Sequence, residues 1–349
     1  MITGLFAILL AVLILPFLFH KVEENLEAFL FFMGLIACIV SGHLNSHLLM
    51  ESLREPIPIA LAVLFAGALF FIFRERFTVI MDRLFQQASL PLVVFVIIVV
   101  LGIFSSVITA IVAAIILVEL IVLLPLSRRQ KIVVCVVACY SIGFGAALTP
   151  IGEPLATIAI SKLNQDFFYL LNLLGKYIIP SVLAMGIIGA LYTWNVSRSN
   201  QESDVSEEVA LTEETFEDVG QEDRWRNVII RALKVYLFVM ALVFLGEGFQ
   251  PLIDKFILGL DYRILYWANM VSAVLDNATL TAAEISPQMG LLQIEAILMG
   301  LLISGGMLIP GNIPNIISAS KLKISMTEWA KIGTPMGLVI MAFFYFILF

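Results

Sequence analysis

Ala147-Leu-Thr-Pro-Ile-Gly-Glu-Pro-Leu-Ala-Thr-Ile-Ala-Ile-Ser-Lys-Leu163 and Met307-Leu-Ile-Pro-Gly-Asn-Ile-Pro-Asn-Ile-Ile-Ser-Ala-Ser-Lys-Leu322 read as two copies of one segment. Each opens with Pro-x-x-x-Pro (Pro150/Pro154 and Pro310/Pro314) and closes on Ser-Lys-Leu, with one residue of slip between. Both lie in apolar runs. Proline removes a backbone donor and clashes with the preceding turn, so each copy should break a helix at a place where lipid cannot satisfy the freed groups. Paired helix breaks in corresponding positions of two halves are the best sequence pointer to a transporter binding site.

The rest of the chain fits a membrane setting. Of its 349 residues 61% are hydrophobic and 13% charged, against about a quarter charged in soluble proteins; mean hydropathy is +1.03. Apolar runs of about 20 residues, enough to span a bilayer, recur along the length. The fold class expected is an all-α polytopic membrane protein. The net charge of −7 comes from ten acids between Glu202 and Asp223 with no base among them. Outside that stretch the chain is slightly basic, so the charge implies no nucleic acid or acidic ligand. Cys38, Cys135 and Cys139 lie in apolar segments and read as packing residues. Met1 to Phe19 has no basic flank and no cleavage pattern, and reads as a first span rather than a signal peptide.

The hydrophobic segments are roughly 2–19, 26–42, 57–73, 88–126, 131–163, 172–194, 228–246, 262–287, 289–322 and 330–349. Two carry polar residues at their middle: Ser105, Ser106 and Thr109 in 88–126, and Ser272, Asp276, Asn277, Thr279 and Thr281 in 262–287. Both read as re-entrant hairpins with polar tips, a form tolerated only inside protein or around a water-filled cavity. The tips align, Phe104–Ala110 with Val271–Asn277. The expected plan is about 8 full spans plus 2 hairpins. It comprises N-terminal spans (1–56), a first repeat (57–194), an acidic linker (195–227) and a second repeat (228–349). Each repeat holds a hairpin and a broken transmembrane helix. Three net crossings per repeat make the second copy inverted. This arrangement puts fifteen of the 20 bases on one side, which the positive-inside rule makes cytoplasmic, with both termini outside. Arg54, Lys162, Lys176, Lys255 and Arg263 are the five on the other. Segments 74–87 and 247–261 read as in-plane amphipathic helices or as ordinary loops. The linker reads as a disordered or loosely helical connector.

Four polar elements converge in this plan: the tip Ser105/Ser106/Thr109, the break from Thr149 through Glu153 to Thr157, the tip Asp276/Asn277/Thr279, and the break Asn312/Asn315. Hydroxyl, amide, carbonyl and carboxylate oxygens are what a hard cation requires. An acid at the bilayer centre costs about 3 kcal/mol or more, which marks Glu153 and Asp276 as functional. Burial favours the protonated acid and a bound cation the ionised one, so the two carboxylates can exchange a proton for a metal ion. The candidate Na⁺ ligands are Glu153, Asp276, Asn277 and Asn312, with Glu153 and Asp276 coupling protons. Glu119, Glu284 and Glu295 are weaker candidates, on an access path or at the interface. His43 and His47 make a poor metal site. No protease, hydrolase or nucleotide motif is present, so neither an enzyme nor a cofactor is expected.

These residues resemble those of the ion transporter superfamily, in which two inverted repeats carry re-entrant hairpins and broken helices. Thr149-Pro-Ile-Gly-Glu153 resembles the Thr-Pro-Ile-Gly-Asp motif of NhaD-type sodium/proton antiporters, and Leu275-Asp-Asn277 their Asp-Asn hairpin tip. Gly311-Asn-Ile-Pro-Asn315 resembles an element of arsenite and carboxylate permeases. The chain as a whole is similar to a prokaryotic family of proposed cation transporters. Two positions depart from the antiporter pattern: Thr109-Ala110 stands where Asp-Asn is expected, and Glu153 replaces an Asp. The resemblance implies a multi-pass protein of the prokaryotic inner membrane and a homodimer with the terminal spans in its interface. The expected function is cation (Na⁺)/proton antiport through a midplane site. The alternatives are an anion transporter for arsenite, a carboxylate or another oxyanion, and a non-transporting membrane scaffold or sensor.

Overall fold

The computed structural model describes residues 1–19, 21–22, 25–54, 56–57, 60–61, 64–65, 88–199, 225–252, 255–256, 259–273 and 277–349. The expected amphipathic segment 74–87, most of the span 57–73, most of the acidic linker and the tip residue Asp276 lie outside the described residues. Helices carry nearly all of the rest, and no strand occurs among the described residues. They are α1 (Ile2–Leu18), α2 (Leu26–Ser41), α3 (Ser46–Arg54), α4 (Leu90–Ile108), α5 (Ala110–Leu123), α6 (Arg128–Ala146), α7 (Pro154–Leu163), α8 (Tyr169–Ser199), α9 (Trp225–Leu252), α10 (Tyr262–Ala268), α11 (Asn277–Glu284), α12 (Leu291–Gly305), α13 (Ile313–Lys321) and α14 (Met326–Leu348). Short 3₁₀ turns cover Asn269–Ala273 and Ile309–Gly311.

Five described helices are long and apolar enough to cross a membrane: 90–108, 128–146, 169–195, 232–252 and 326–348. This identifies a helical membrane protein. The five differ from the expected eight spans: 90–108 is the first arm of an expected hairpin, 57–73 lies mostly outside the described residues, and the described helices of 2–19, 26–42 and 289–322 are too short to count. The 14 residues of α5 rise about 21 Å, and the 10 of α7 about 15 Å.

Local sequence sets the helix ends. Gln130 Oε1 accepts from Ser127 N at 2.9 Å, Gln293 Oε1 from Gly290 N at 3.1 Å, and Glu328 Oε2 from Ser325 N at 2.8 Å. Each thereby satisfies an amide that the helix start leaves open. Glycines set the closest packing. A Cβ on Gly145 would overlap the Gly102 carbonyl, which lets α4 and α6 meet backbone to backbone. A Cβ on Gly34 would come 2.9 Å from Ala241 O, and one on Gly248 would come 2.6 Å from the Ala37 Cβ, which brings α2 against α9.

Side-chain contacts fix which helix ends lie together. Arg128 reaches Glu328 at 3.3 Å and the Lys323 carbonyl at 3.0 Å, joining the starts of α6 and α14. Lys131 Nζ donates to the Val122 carbonyl at 3.0 Å, adding the end of α5. A second group forms around Lys176 and Glu295, 3.1 Å apart, near the starts of α8 and α12. Gln293 Nε2 donates to the Leu260 carbonyl at 3.0 Å, which adds the residues before α10. Between these groups the short helices pair reciprocally: α7 packs on α11, and α13 packs on α5.

Two stretches differ from expectation. Residues 43–56 fall between two expected spans, with Arg54 on the outer side, yet α3 runs back along α9. Leu48 packs with Phe244, and Tyr236 Oη donates to the Leu53 carbonyl at 2.9 Å. Arg54 therefore sits beside the middle of α9. The expected in-plane segment 247–261 is also shortened, because α9 continues to Leu252. Gly246, Gly248 and Phe249 are buried there, against Lys162 and α2, so that turn is interior.

Candidate functional site

The two proline-rich copies do break their helices. After α6 ends at Ala146, residues 147–153 turn and α7 restarts at Pro154. After α12 ends at Gly305, residues 306–312 turn and α13 restarts at Ile313. Glu153 and Asn312 are the N-cap residues of the two half-helices, with φ −153°, ψ 159° and φ −152°, ψ 147°. The one-residue slip is thus absorbed before the caps: Pro154 is the first residue of α7 and Pro314 the second of α13. Both caps are buried, Glu153 at 4% and Asn312 at 3% exposure.

Hydroxyls hold the first break in shape. Thr149 Oγ1 donates to the Ser106 carbonyl and accepts from Ile151 N, and Thr157 Oγ1 donates to the Pro150 carbonyl at 2.6 Å. The Gly152 carbonyl accepts from Ala110 N at 2.7 Å, so this break is bonded to the junction of α4 and α5. A Cβ on Gly152 would collide with the Ala146 carbonyl. At that junction Thr109 has φ 76° and ψ 149°, a conformation that costs a non-glycine residue about 1–3 kcal/mol. Its Oγ1 accepts from Val112 N at 3.3 Å and caps α5. Ser105 donates to the carbonyls of Gly102 and Ile142, at 2.6 and 3.0 Å, and Ser106 to Ile103 at 2.7 Å. Their protons go to carbonyls, and their lone pairs stay available as acceptors.

The second break is held by an amide. Asn315 Nδ2 donates to the carbonyls of Gly305 and Leu308 at 2.8 and 2.9 Å, tying α13 to the end of α12, while its Oδ1 is buried without a hydrogen-bond partner. Asn277, at the start of α11, is buried and its Nδ2 has no partner either. That nitrogen lies 3.7 Å from the place a Cβ on Gly305 would take. Asn312 crosses between the halves: a Cβ on Gly143 of α6 would stand 2.7 Å from its Nδ2. Thr281 donates back to the Asn277 carbonyl at 2.8 Å and is structural. The expectations for Asp276 and for the Thr279 side chain lie outside the described residues.

The structure thus joins Ser106 and Thr109 to the first break, and Asn277 and Asn315 to the second. Asn312 links the two breaks through α6. Among the described residues no three His, Cys, Asp or Glu side chains group as a metal site. His43 and His47 separate, one beside Ser41 and the other beside Glu51. Lys162 Nζ donates to the carbonyls of Ala282, Gly246 and Ile285 at 2.8, 3.3 and 3.3 Å, which places its charge at the C-terminal end of α11, away from the tips. Such placement opposes the negative end of a helix.

Sequence reading missed Ser141, Ser304 and Asn269. Ser141 Oγ donates to the Ile98 carbonyl at 2.9 Å, and Ser304 Oγ to the Asn269 carbonyl at 2.7 Å. In each case the broken helix is pinned to the first arm of its preceding segment. The signal was present as Ser141-Ile-Gly143 and Ser304-Gly-Gly306, but α12 is a turn shorter than α6, which hides the match.

The sequence profile of a family described as "Protein of unknown function (DUF1646)" matches residues 2–349. The chain belongs to the DUF1646 family. No curated protein matches it. The breaks described above are therefore features of a DUF1646 protein.

Thr149→Val removes a hydroxyl that bridges the first break to Ser106. Leaving that buried carbonyl without its donor costs about 1–3 kcal/mol. The expected result is a lower thermal unfolding midpoint for the purified variant in detergent. An unchanged midpoint would show that the hydroxyl does not hold the break.

Proposed function

We propose that this DUF1646 protein is a secondary active transporter that exchanges a monovalent cation, Na⁺ before others, for protons. The observation that carries this reading is the pair of N-caps. Two half-helices start in the same backbone conformation inside the protein, one from a carboxylate and one from a neutral amide. A buried carboxylate holds either a proton or a cation, and that competition is the basis of exchange. The other described groups at the breaks are neutral oxygen ligands. The placement of Lys162 at the far end of α11 weighs against a bare anion as cargo.

The inverted-repeat reading is supported by the end-to-end contacts. Those made by Arg128 and Lys131 gather the starts of α6 and α14 with the end of α5. Those made by Lys176 and Gln293 gather the starts of α8 and α12 with the chain before α10. On this reading α4–α5 is a re-entrant hairpin open to the cytoplasm, and 262–287 is one open to the outside. Na⁺ would sit among Glu153, Asp276, Asn277 and Asn312. The membrane is the prokaryotic inner membrane, both termini are outside, and the assembly is a homodimer.

Labelling tests the orientation. The natural cysteines are buried, so a membrane-impermeant thiol reagent should report introduced ones alone. Ser286 is buried, whereas Arg129 and Gln288 are exposed and lie next to the relevant ends. R129C should label only from the cytoplasmic side and Q288C only from the outside. Labelling of both from one side would end the inverted reading.

Transport itself is tested in proteoliposomes loaded with a pH-sensitive dye. An alkali-cation pulse should drive saturable proton efflux, and arsenite or a dicarboxylate should drive none. Anion-driven flux indifferent to cations would assign the protein to the anion branch. Absence of any flux would leave the scaffold or sensor reading.

A further inference from the structure

Glu284 closes α11, a full two turns from the tip. The residue is partly exposed, but its Oε2 is buried and has no hydrogen-bond partner. The Asn269 side chain reaches its carboxyl. Asn269 is fully buried, its Nδ2 also donates to the Leu265 carbonyl at 3.0 Å, and its Oδ1 lacks a donor. An amide nitrogen has two hydrogens, and both are then committed. A carboxylate wants donors at both oxygens, and here only one is served. Carrying a proton on Oε2 removes that deficit and creates an O–H donor beside Asn269, whose own oxygen needs one.

The charged groups on the elements packed around α11 leave Oε2 in this condition. From α7, Lys162 donates to the carbonyls of Ala282 and Ile285, which flank Glu284. From α9, Glu247 bears on Cys38, on the α2 side. From α12, Glu295 is paired with Lys176. On α10, Arg263 is exposed and lies over the Tyr262 ring.

Asn269 also leads inwards. Its carbonyl accepts from Ser304 at the end of α12, two residues before the second break begins. Ser272 follows in the same 3₁₀ turn, fully buried, with an Oγ that has no partner. The Ser272 carbonyl abuts Gly311 in the break, 2.5 Å from where a Cβ would stand. Polar groups thus run from Glu284 through Asn269 and Ser272 to the second break.

We propose that Glu284 is a second proton-binding residue, taking a proton from water on the side where α11 ends, holding it beside Asn269 and releasing it towards the break. The uptake converts carboxylate to acid, and the release restores the carboxylate, so no other reactant is needed. The passage inwards rests on the transporter reading; the proton site does not.

The test is infrared difference spectroscopy on the purified full-length protein, between about pH 5 and 9, beside proton flux in vesicles. The natural protein should show a titrating carboxylic-acid carbonyl band that is lost in E284Q, whose side chain copies the protonated acid in shape. N269A should retain the band at a shifted frequency, because its hydrogen-bond partner has changed. In vesicles E284Q should displace the pH profile of cation-driven flux by about one unit or more. Band loss without any flux in the natural protein supports the proton site while removing the transport reading. An unchanged spectrum in E284Q, or an acid band that never titrates, overturns the proposal whatever the flux does.

Discussion

Glu153→Gln should reduce cation-driven proton exchange to the level of protein-free vesicles while the protein still folds. Gln has nearly the shape of a protonated Glu and can occupy the same extended cap before Pro154, so α7 should start where it does now. What the variant lacks is the ability to lose a proton, and with it the negative charge that would hold a cation in a buried place. Asp276→Asn, at the residue aligned with the opposite tip, should abolish exchange or change its voltage dependence. Two acids sharing one site titrate as a pair, with one raised strongly unless a cation lies between them. If both release protons as one Na⁺ binds, the cycle moves net charge and responds by about 2.3 kcal/mol per charge per 100 mV. If one does, the cycle is electroneutral. Cation-driven flux that persists in full in the E153Q/D276N double variant would refute the coupling.

Gly145→Ala should prevent α4 from packing on α6. The added Cβ would overlap the Gly102 carbonyl and come 3.0 Å from Ser105 Oγ. A flexible side chain could move aside, but a helix backbone cannot. Overpacking of an ordinary core costs about 1–3 kcal/mol. Here the separation would also break the bonds from Ser105 to Ile142 and from Ser141 to Ile98, each worth about 1 kcal/mol. The expected result is loss of monodisperse protein on size-exclusion chromatography, or a strongly lowered unfolding midpoint. Gly175→Ala is the control: its Cβ would meet only the tips of Leu171 and Ile179, at 3.4 and 3.8 Å. Replacing a helical glycine there gains up to about 1 kcal/mol of helix propensity. Equal loss in both variants would show that the damage is not at the α4–α6 contact.

Much of this arrangement was legible because proline and polar residues are conspicuous in apolar runs. Pro150, Pro154, Pro310 and Pro314 located both breaks, and Thr109 the junction of α4 and α5. The equivalence of Glu153 with Asn312 was less visible, since the prolines align at one offset and the caps at another. Other features left no local signal. His47, Glu51 and Arg54 give residues 46–54 the look of a loop, and only the partnership of Leu53 with Tyr236, far along the chain, reveals the return along α9. Glu284 and Asn269 lie 15 residues apart and meet only when α11 folds back. No periodicity encodes such a meeting.

The exchange of short helices, α7 onto α11 and α13 onto α5, is what an isologous dimer does: each partner gives the element it receives. Read so, the two halves relate as subunits rather than as consecutive domains. On the inverted-repeat reading, the half-helix that follows each break packs on a short helix of the other half. The covalent joint between them then matters chiefly as a tether that raises the effective concentration of one half for the other.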